Sequence, residues 1–389
     1  MIVYQADKQQ FLHDHDDKDI DDVIRERFTA VTGSKVPLAE LRSWRESLAF
    51  MAKVLRDEEI ADDTGVAVEY HIPQSAKRID VTLTGYAEDG TKSAVIVELK
   101  QWEHAEATTK DAIVITYLAK AKREVVHPSY QAWSYASLLE GFNEAVYDGG
   151  ISIRPCAYLH NYVRDGVIDS EHYVDHLTKA PLFFKGEDER RHLRGFIKKY
   201  VHRGDKKAIL YEIEKGRIRP SKALADSLVS MLKGKQEFVL VDDQKMVYET
   251  ACASAQEASD AKPRVVIVEG GPGTGKTVVA INILVALMDK RLLGKYVSKN
   301  AAPRRVYEAK VTGSMRKSEF SNIFCGSGMF VESLSNTFDF LVVDEAHRLN
   351  EHSGLYGNLG ENQIKEIINA TRCAIFFIDE DQRVPPVPI

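Results

Sequence analysis

The octapeptide GGPGTGKT, residues 270–277, constrains the fold of this 389-residue chain more than any other feature. It fits the pattern G-x-x-x-x-G-K-[ST], follows the apolar run Arg264–Glu269 and precedes the apolar segment 278–288. A strand that passes through a glycine-rich loop into a helix directs backbone N–H groups and the positive end of the helix dipole at one point. The sequence therefore predicts a phosphate-binding loop, residues 270–277, in an α/β domain with a parallel sheet.

Each residue type in this loop has a distinct expected task in binding ATP. Lys276 is expected to reach the β- and γ-phosphates, and Thr277 is expected to ligate Mg²⁺. Glycines allow the loop to wrap tightly, so that its N–H groups converge on phosphate oxygens. The residues expected to line the nucleotide in this way are Gly271, Gly273, Thr274 and Gly275.

An acidic pair follows another apolar run in the string LVVDEAH, residues 341–347. The run predicts that Asp344 lies at the carboxyl end of a buried strand, where α/β proteins build their sites. Asp344 is expected to hold Mg²⁺ through water, and Glu345 to orient or deprotonate the water that attacks ATP. An isolated Asp-Glu pair would mean little, but together with the phosphate-binding loop it predicts an ATPase.

Two glutamines fit the same site less specifically. Gln382 follows a third apolar run in IDEDQR, residues 378–383, and Gln244 ends the string VDDQ before the loop. Gln382 is expected to sense the γ-phosphate, and Gln244 to read the adenine edge with its paired donor and acceptor. Either glutamine taken singly is equally consistent with an ordinary surface residue.

The ordered strings DDQ, GGPGTGKT, YVSKNAAPRRVYEAK, VVDEAH and FFIDEDQRV resemble the motifs of superfamily 1 helicases. The resemblance covers about 237–389 and points to the Schlafen group 3-like DNA/RNA helicase domain. It implies a RecA-like P-loop NTPase lobe that uses ATP and Mg²⁺ and binds nucleic acid, with Ser298–Asn300 touching the strand. It also implies a second RecA-like lobe, which we expect from a partner or a missing segment because the sequence stops at Ile389.

A second candidate site is predicted in the first half of the chain. Three segments between residues 65 and 102 alternate with a period of two, as strands do, and Glu88–Thr91 between the last two predicts a hairpin turn. The period places Glu98 and Lys100 on one face of their strand. The hairpin would bring Asp80 beside Glu98, which gives two carboxylates and one lysine in one pocket.

This cluster is suited to metal-dependent cleavage of a phosphodiester. Asp80, Glu98 and the carbonyl oxygen of Leu99 are hard oxygen ligands for Mg²⁺. Lys100 is expected to orient the water or to stabilise the charge that builds on the phosphate. Because an E-x-K string often arises by chance, a plain salt-bridged pair is the alternative.

The element order of residues 35–160 and the spacing D-x17-E-x-K resemble the PD-(D/E)XK, restriction-endonuclease-like core. Gln131 and Tyr135 share one face of a predicted helix, 129–142, and resemble the signature of RecB-type nucleases, so we expect both in the catalytic set. Glu46 and Glu69 are candidates for an additional acid. The alternative is an inactive but folded relative, and the intact D, E-x-K and Q-x3-Y pattern argues against it.

The fold class predicted from these patterns is α/β, with three consecutive parts. Residues 1–185 are expected to form the nuclease-like domain, 186–236 a basic helical connector, and 237–389 the first RecA-like lobe. The connector is set apart by charge, since residues 190–235 hold 14 Lys or Arg against 4 Asp or Glu in a chain of net charge -6. Its lysines and arginines either contact phosphates or form solvated helix faces.

The sequence thus predicts a Mg²⁺-dependent nuclease coupled to an ATP-binding or ATP-hydrolysing helicase-like domain. DNA is favoured over RNA as substrate, and the resemblance implies bacterial DNA processing or anti-phage defence. The alternative is an ATP-switched nucleic-acid-binding module without helicase turnover. The four cysteines lack metal-ligand spacing and predict reduced thiols in a cytoplasmic protein, with no membrane span.

Overall fold

The structure is a computed structural model that describes residues 1–382 except 19, 34–37, 73–76, 119–120, 220, 222 and 354–358. The chain divides into two compact units, Met1–Ser221 and Lys222–Ile389. Both combine helices with sheets, which confirms the predicted α/β class.

The first unit contains eight helices and nine strands among its described residues. Its elements are β1 (Ile2–Asp7), α1 (Lys8–Asp17), α2 (Ile20–Thr32), α3 (Leu38–Leu55), β2 (Gly65–His71), β3 (Arg78–Tyr86), β4 (Lys92–Lys100), β5 (Ala105–Ala107), β6 (Ile113–Leu118), β7 (Ala121–Val126), α4 (Pro128–Phe142), α5 (Glu144–Tyr147), β8 (Ser152–Leu159), α6 (Val174–Lys179), β9 (Leu182–Phe183), α7 (Glu187–Tyr200) and α8 (Ala208–Lys215). The predicted helix with the stripe from Leu41 to Leu55, the three strands and the helix 129–142 are confirmed.

A six-stranded sheet in the order β1-β2-β3-β4-β8-β9 forms the centre of this unit. Strands β1 to β4 pair antiparallel, and β8 joins β4 in parallel. Alternation along β4 sends Val95 and Val97 into one apolar cluster with α3 and α7, and Ala94 and Ile96 into another with α4 and α8. The sheet is therefore covered on both faces, and the polar residues that end β4 lie between two cores.

A separate antiparallel sheet, β5-β6-β7, is inserted between β4 and α4. Its inner face places Ala105 and Val114 in a cluster with Leu159 and Phe184. The order of helices and strands predicted from the sequence did not include this inserted sheet, because its short strands lack a strict alternation of apolar and polar residues.

The second unit contains six helices and five strands among its described residues. They are α9 (Leu224–Leu232), α10 (Asp243–Glu257), β10 (Arg264–Glu269), α11 (Lys276–Asp289), β11 (Gly294–Ser298), α12 (Ala301–Val311), α13 (Lys317–Ile323), β12 (Phe324–Cys325), β13 (Phe338–Asp344), α14 (Gln363–Ala370) and β14 (Thr371–Ile378). A short 3-10 turn, Glu380–Gln382, follows β14.

All five strands of this unit pair in parallel, in the order β10-β14-β13-β11-β12. Apolar clusters lie on both faces, one with α10 and α11 and the other with α14, but Val265 and Ile267 of the edge strand β10 are exposed. Parallel strands end at the same edge of a sheet, so the loop after β10, Asp344 at the end of β13 and Asp379 after β14 meet there. The predicted strand, loop and helix around residues 270–277 are confirmed.

The segment predicted to be a connector, 186–236, is divided between the two units. Helix α7 buries Leu193 and Ile197, and α8 buries Ile209 and Leu210, in the two cores of the first unit. Helix α9 buries Leu228 in the core of the second unit. These helices have narrow apolar stripes among many charged residues, so the stripes are difficult to recognise in the sequence. The sequence also predicts a break in the helices at Pro220, which lies outside the described residues.

Two further expectations concern the whole chain. Each of the four cysteines is buried and has a free thiol. None of the helices in the described ranges has the length and apolar character needed to cross a bilayer.

Candidate active sites

The conformation of the predicted phosphate-binding loop, residues 270–277, is stabilised by two glycines and by one glutamine. Gly273 and Gly275 have φ angles of 75° and 81°, a region that favours glycine. A Cβ on Gly275 would lie 2.5 Å from Nε2 of Gln244, which donates a hydrogen bond to the Thr274 carbonyl oxygen at 2.8 Å. The other end of this amide, Oε1, accepts from the N–H of Val241 at 3.1 Å. Gln244 therefore braces the loop, and both ends of its amide are engaged.

Lys276 is folded back into the loop. Its ammonium donates to the carbonyl oxygens of Gly270 and Gly271, and it lies 3.0 Å from Oδ2 of Asp379. Only 9% of the lysine side chain and 2% of the aspartate side chain are exposed. The cation predicted to meet phosphate is thus paired with a carboxylate that the sequence did not single out.

Thr277 and Asp344 meet as expected for a shared cation. The Thr277 hydroxyl donates to Oδ2 of Asp344 at 2.8 Å, and the Tyr296 hydroxyl donates to the same oxygen. Burial and the neighbouring Asp344 carboxylate raise the pKa of Tyr296. The other oxygen, Oδ1, accepts from the N–H of Glu345 at 2.9 Å. Asp344 is therefore held in a single orientation beside the loop.

Glu345 stands in a left-handed conformation, with φ 53°, directly after β13. This region is uncommon for residues other than glycine, and such residues concentrate at functional sites. Its Oε2 lies 3.2 Å from Nε2 of His347 and 3.1 Å from Nε of Arg348. Nδ1 of His347 in turn accepts from the N–H of Asp379 at 3.2 Å. His347 thus links the end of β13 to the end of β14.

The remaining predicted residues of this unit lie at the same edge but differ in their contacts. Gln382 is exposed in the turn after β14, and Arg383 of the same string lies outside the described residues. Ser298 is buried at the end of β11, and Lys299 is exposed. The side chain of Asn300 accepts from the N–H of Ala302 at 3.0 Å and caps α12, so it also has a structural task.

Asp80, Glu98 and Lys100 come together at the end of two paired strands. Val81 lies opposite Val97, so Asp80 and Glu98 are the next residues on β3 and β4. Nζ of Lys100 lies 2.7 Å from Oε1 of Glu98, and Glu98 is 3% exposed. The N–H of Leu99 donates to Oδ2 of Asp80 at 2.7 Å. The structure thus brings together the three residues that the alternation and the hairpin predicted.

A third acid lies at the same level of the sheet. Glu69 on β2 falls between Val68 and Tyr70, and these two pair with Val81 and Ile79 on either side of Asp80. Oε1 of Glu69 accepts from Nε1 of Trp44 at 2.7 Å, and its Oε2 lies 3.1 Å from Arg78. Glu46, the other candidate acid, is exposed on α3. Of the two additional acids considered, Glu69 is therefore the one placed beside the cluster.

The electrostatics of Asp80 reflect this crowding of acids. Burial and the charge of Glu69 raise the pKa of Asp80 to about 6, while Lys100, the Leu99 N–H and Arg78 act in the opposite direction. The three acids of the cluster lie beside two cations, Lys100 and Arg78. A further cation would compensate the remaining carboxylate.

Gln131 and Tyr135 lie on α4 and contact each other. Nε2 of Gln131 donates to the Tyr135 hydroxyl at 3.0 Å. Tyr135 belongs to the apolar cluster of Ala94 and Ile96, which precede Glu98 on the same face of β4. The pair is therefore on the side of the sheet that Glu98 faces. The N-cap residue of α4 is His127, whose Nδ1 accepts from the N–H of Ser129 at 3.2 Å.

No group of three or more His, Cys, Asp or Glu side chains able to hold a metal ion occurs within the described ranges. Each site offers fewer protein ligands than that, Asp80 and Glu98 in one and Thr277 and Asp344 in the other. Sequence reasoning missed Asp379 and Tyr296, which contact Lys276 and Asp344. Asp379 stands in the string IDEDQR, directly after an apolar run like Asp344, and that position was the available signal.

Comparison with known protein families finds a match in the second unit. The family described as Schlafen group 3, DNA/RNA helicase domain matches residues 263–387, which is less than half of the chain. Comparison with curated proteins finds no match. The matched segment contains the phosphate-binding loop, Asp344, Glu345 and Gln382, whereas Gln244 and the whole first unit lie outside it. The second unit is therefore similar to a helicase domain, and this similarity indicates a nucleic-acid-related ATPase function.

Proposed function

We propose that the protein is a Mg²⁺-dependent nuclease whose second unit binds and hydrolyses ATP while it acts on nucleic acid. The second unit is in this proposal the first RecA-like lobe of a superfamily 1 helicase-like motor, and the first unit is a PD-(D/E)XK nuclease. The observation that carries the proposal is that Lys276 contacts Asp379 and Thr277 contacts Asp344 at one edge of a parallel sheet.

In the proposed ATP site, the residues of the loop and of the strand ends have separate roles in binding the nucleotide and in hydrolysis. The loop N–H groups and the ammonium of Lys276 bind phosphate oxygens. Glu345 orients the attacking water and accepts its proton, since its carboxylate follows the strand that ends at Asp344. Gln244 braces the loop, and its second N–H and second oxygen lone pair read the adenine edge. Gln382 senses the γ-phosphate from the turn after β14.

In the nuclease site, two carboxylates and a lysine act on one phosphodiester. Lys100 orients the attacking water or stabilises the extra negative charge of the transition state. Gln131 and Tyr135 position the substrate from α4. The observation that supports this half is the placement of Asp80 and Glu98 at adjacent positions of β3 and β4, with Lys100 within 2.7 Å of Glu98.

The residues of both sites fit Mg²⁺. This ion takes oxygen ligands and is usually bound by one or two carboxylates together with substrate phosphates and waters. Asp80, Glu98 and the Leu99 carbonyl would hold it in the first unit, and Thr277 and Asp344 in the second. When bound, Mg²⁺ lowers the pKa of water and neutralises charge on the phosphoryl oxygens.

Nucleic acid is the proposed partner of both units, with DNA favoured by the resemblance to bacterial nuclease–helicase fusions. The same resemblance supports a role in DNA processing or anti-phage defence, and the four buried free thiols support a cytoplasmic location. A second RecA-like lobe, from a further segment or a partner, would complete the motor.

The direct test is the rate of ATP hydrolysis by the purified chain with Mg²⁺, alone and with single- or double-stranded DNA or RNA. We expect hydrolysis that nucleic acid stimulates and that Glu345→Gln removes. ATP binding without stimulated hydrolysis would favour a nucleotide-switched binding module over a motor. Absence of ATP binding in a calorimetric titration would contradict the proposal.

A further inference from the structure

Asp379 occupies an unusual place for a carboxylate. It directly follows β14, which lies beside β10 in the sheet, and it is 1% exposed. One oxygen, Oδ2, lies 3.0 Å from the ammonium of Lys276. The other, Oδ1, is buried and has no hydrogen-bond partner among the described residues. Asp379 is thus a buried carboxylate whose one ion-pair partner is Lys276 and whose second oxygen accepts no hydrogen bond within the described ranges.

Such a carboxylate is costly to bury unless a cation stays beside it. Removing one partner of a buried ion pair leaves an uncompensated charge, and this is strongly unfavourable. Lys276 has two further acceptors, the carbonyl oxygens of Gly270 and Gly271. All three contacts hold the ammonium within the loop.

A bound nucleotide needs the same ammonium. Lysine binds phosphate as a point charge, and a single ammonium cannot compensate Asp379 and a polyphosphate equally. The backbone N–H of Asp379 donates to Nδ1 of His347 at 3.2 Å, which holds the main chain at the end of β14, so the carboxylate can follow the ammonium only by changing its rotamer. Nucleotide and Asp379 therefore compete for one cation.

We propose that Asp379 is a residue that sets nucleotide affinity: it holds Lys276 in the empty loop, and a ligand binds only by drawing the ammonium away. This inference rests on the proposed ATP site. The ligand class is a nucleoside di- or triphosphate, which carries enough negative charge near Lys276 to displace a carboxylate. Because only the displaced form is competent, the observed affinity is lower than the intrinsic affinity by the competent fraction.

The test is the Kd of a non-hydrolysable ATP analogue with Mg²⁺, measured by calorimetry for the full chain and for Asp379→Asn. The amide keeps the shape of the side chain and removes its charge. We expect binding about tenfold tighter in the variant, a gain that loss of structure does not produce. Asp381→Asn, two residues further on and exposed, removes the same charge away from Lys276 and is expected to leave Kd unchanged.

Equal or weaker binding by Asp379→Asn, with wild-type binding intact, would overturn the inference but not the ATP site. Absence of binding by the wild type would instead overturn the ATP site itself. A crystal structure of the wild type with the analogue gives a second test that needs no variant. The ammonium of Lys276 is expected to leave Asp379, and a separation still near 3.0 Å with nucleotide bound would refute the inference.

Discussion

The two units each bury a lysine against a carboxylate, but they join the pair in different ways. In the first unit, Lys100 contacts Glu98, two residues before it on the same strand. In the second unit, Lys276 contacts Asp379, 103 residues away. The first pair follows from the period of a strand, and the second depends on which strands are neighbours in the sheet.

This difference separates two kinds of candidate site. The pair in the first unit is set within one element, and the hairpin adds Asp80 from the adjacent strand. The pair in the second unit is assembled from a loop and the end of a distant strand, so a ligand can part its members without breaking a strand. We therefore expect the first site to be rigid and the second to rearrange when nucleotide binds.

The largest expected effect is that of Lys276→Ala in the second unit. Removal of the ammonium leaves both the phosphates and the buried Asp379 uncompensated, so ATP binding should fall below detection in a calorimetric titration. Mg²⁺-dependent cleavage by the first unit should persist. Lys290→Ala, an exposed position just after α11, is the matched control. Unchanged ATP affinity in Lys276→Ala would refute the predicted loop.

The corresponding change in the first unit is Lys100→Ala. Loss of the cation at the reacting phosphate should reduce cleavage of a labelled substrate by at least about 100-fold while ATP binding is unchanged. Lys92→Ala is the control, because Lys92 lies on the same face of β4 but pairs with Glu212. Equal cleavage by both variants would show that the E-x-K string is a structural salt bridge.

Glu345→Gln tests whether the second site performs chemistry or only binds. The amide cannot accept a proton from water, so the hydrolysis rate should fall about 100-fold at unchanged ATP affinity. A steady-state phosphate-release assay measures the first quantity and calorimetry the second. A wild-type hydrolysis rate in the variant would assign the base to another residue.

We expect low pH to reduce the stability of the first unit, because it protonates a buried histidine at the N-terminus of α4. Burial lowers the pKa of His127 to about 4, and its two contacts, from Ser129 N–H and to the Ile168 carbonyl, fix the neutral form. The unfolded chain takes up this proton near pH 6.5, so the contribution of His127 to stability falls as pH drops from 6.5 toward 4. The loss amounts to about 2 kcal/mol at pH 5.

Asp80 acts in the opposite direction in this range, because its pKa is raised to about 6 and the folded state binds the extra proton. The comparison of wild type with His127→Asn therefore isolates the histidine. Asparagine caps helices well and does not titrate. Denaturant unfolding at pH 7 and pH 5 should show a larger loss for the wild type, and an equal loss would contradict the assignment.

The smallest expected effect is that of Gln244→Ala. The variant loses the bonds to Thr274 and Val241 that brace the loop, which is worth about 1 kcal/mol, or roughly fivefold in ATP affinity. Fluorescence titration with a labelled nucleotide measures this change. An affinity equal to that of the wild type would leave Gln244 as a surface residue of α10.

Sequence reasoning reached the local geometry of both sites but not their distant partners. The alternation in β4 predicted that Glu98 and Lys100 share one face of the strand. The loop pattern and the acidic pair after β13 predicted that Thr277 and Asp344 lie near each other. Asp379 was missed because strand order decides which side chains meet across 103 residues, and no periodicity encodes that order. The helices of the predicted connector were missed as core elements because a charged helix needs few apolar residues to pack.

We propose that the first unit cleaves nucleic acid through Asp80, Glu98 and Lys100, and that this cleavage does not require the ATP site of the second unit. The most direct test incubates labelled single- and double-stranded DNA and RNA with Mg²⁺ and the wild type, Asp80→Ala or Lys276→Ala. We expect the wild type and Lys276→Ala to cleave, and we expect EDTA to abolish this cleavage. We expect no cleavage by Asp80→Ala. Undiminished cleavage by Asp80→Ala, or no cleavage by the wild type of any of these substrates, would contradict this proposal.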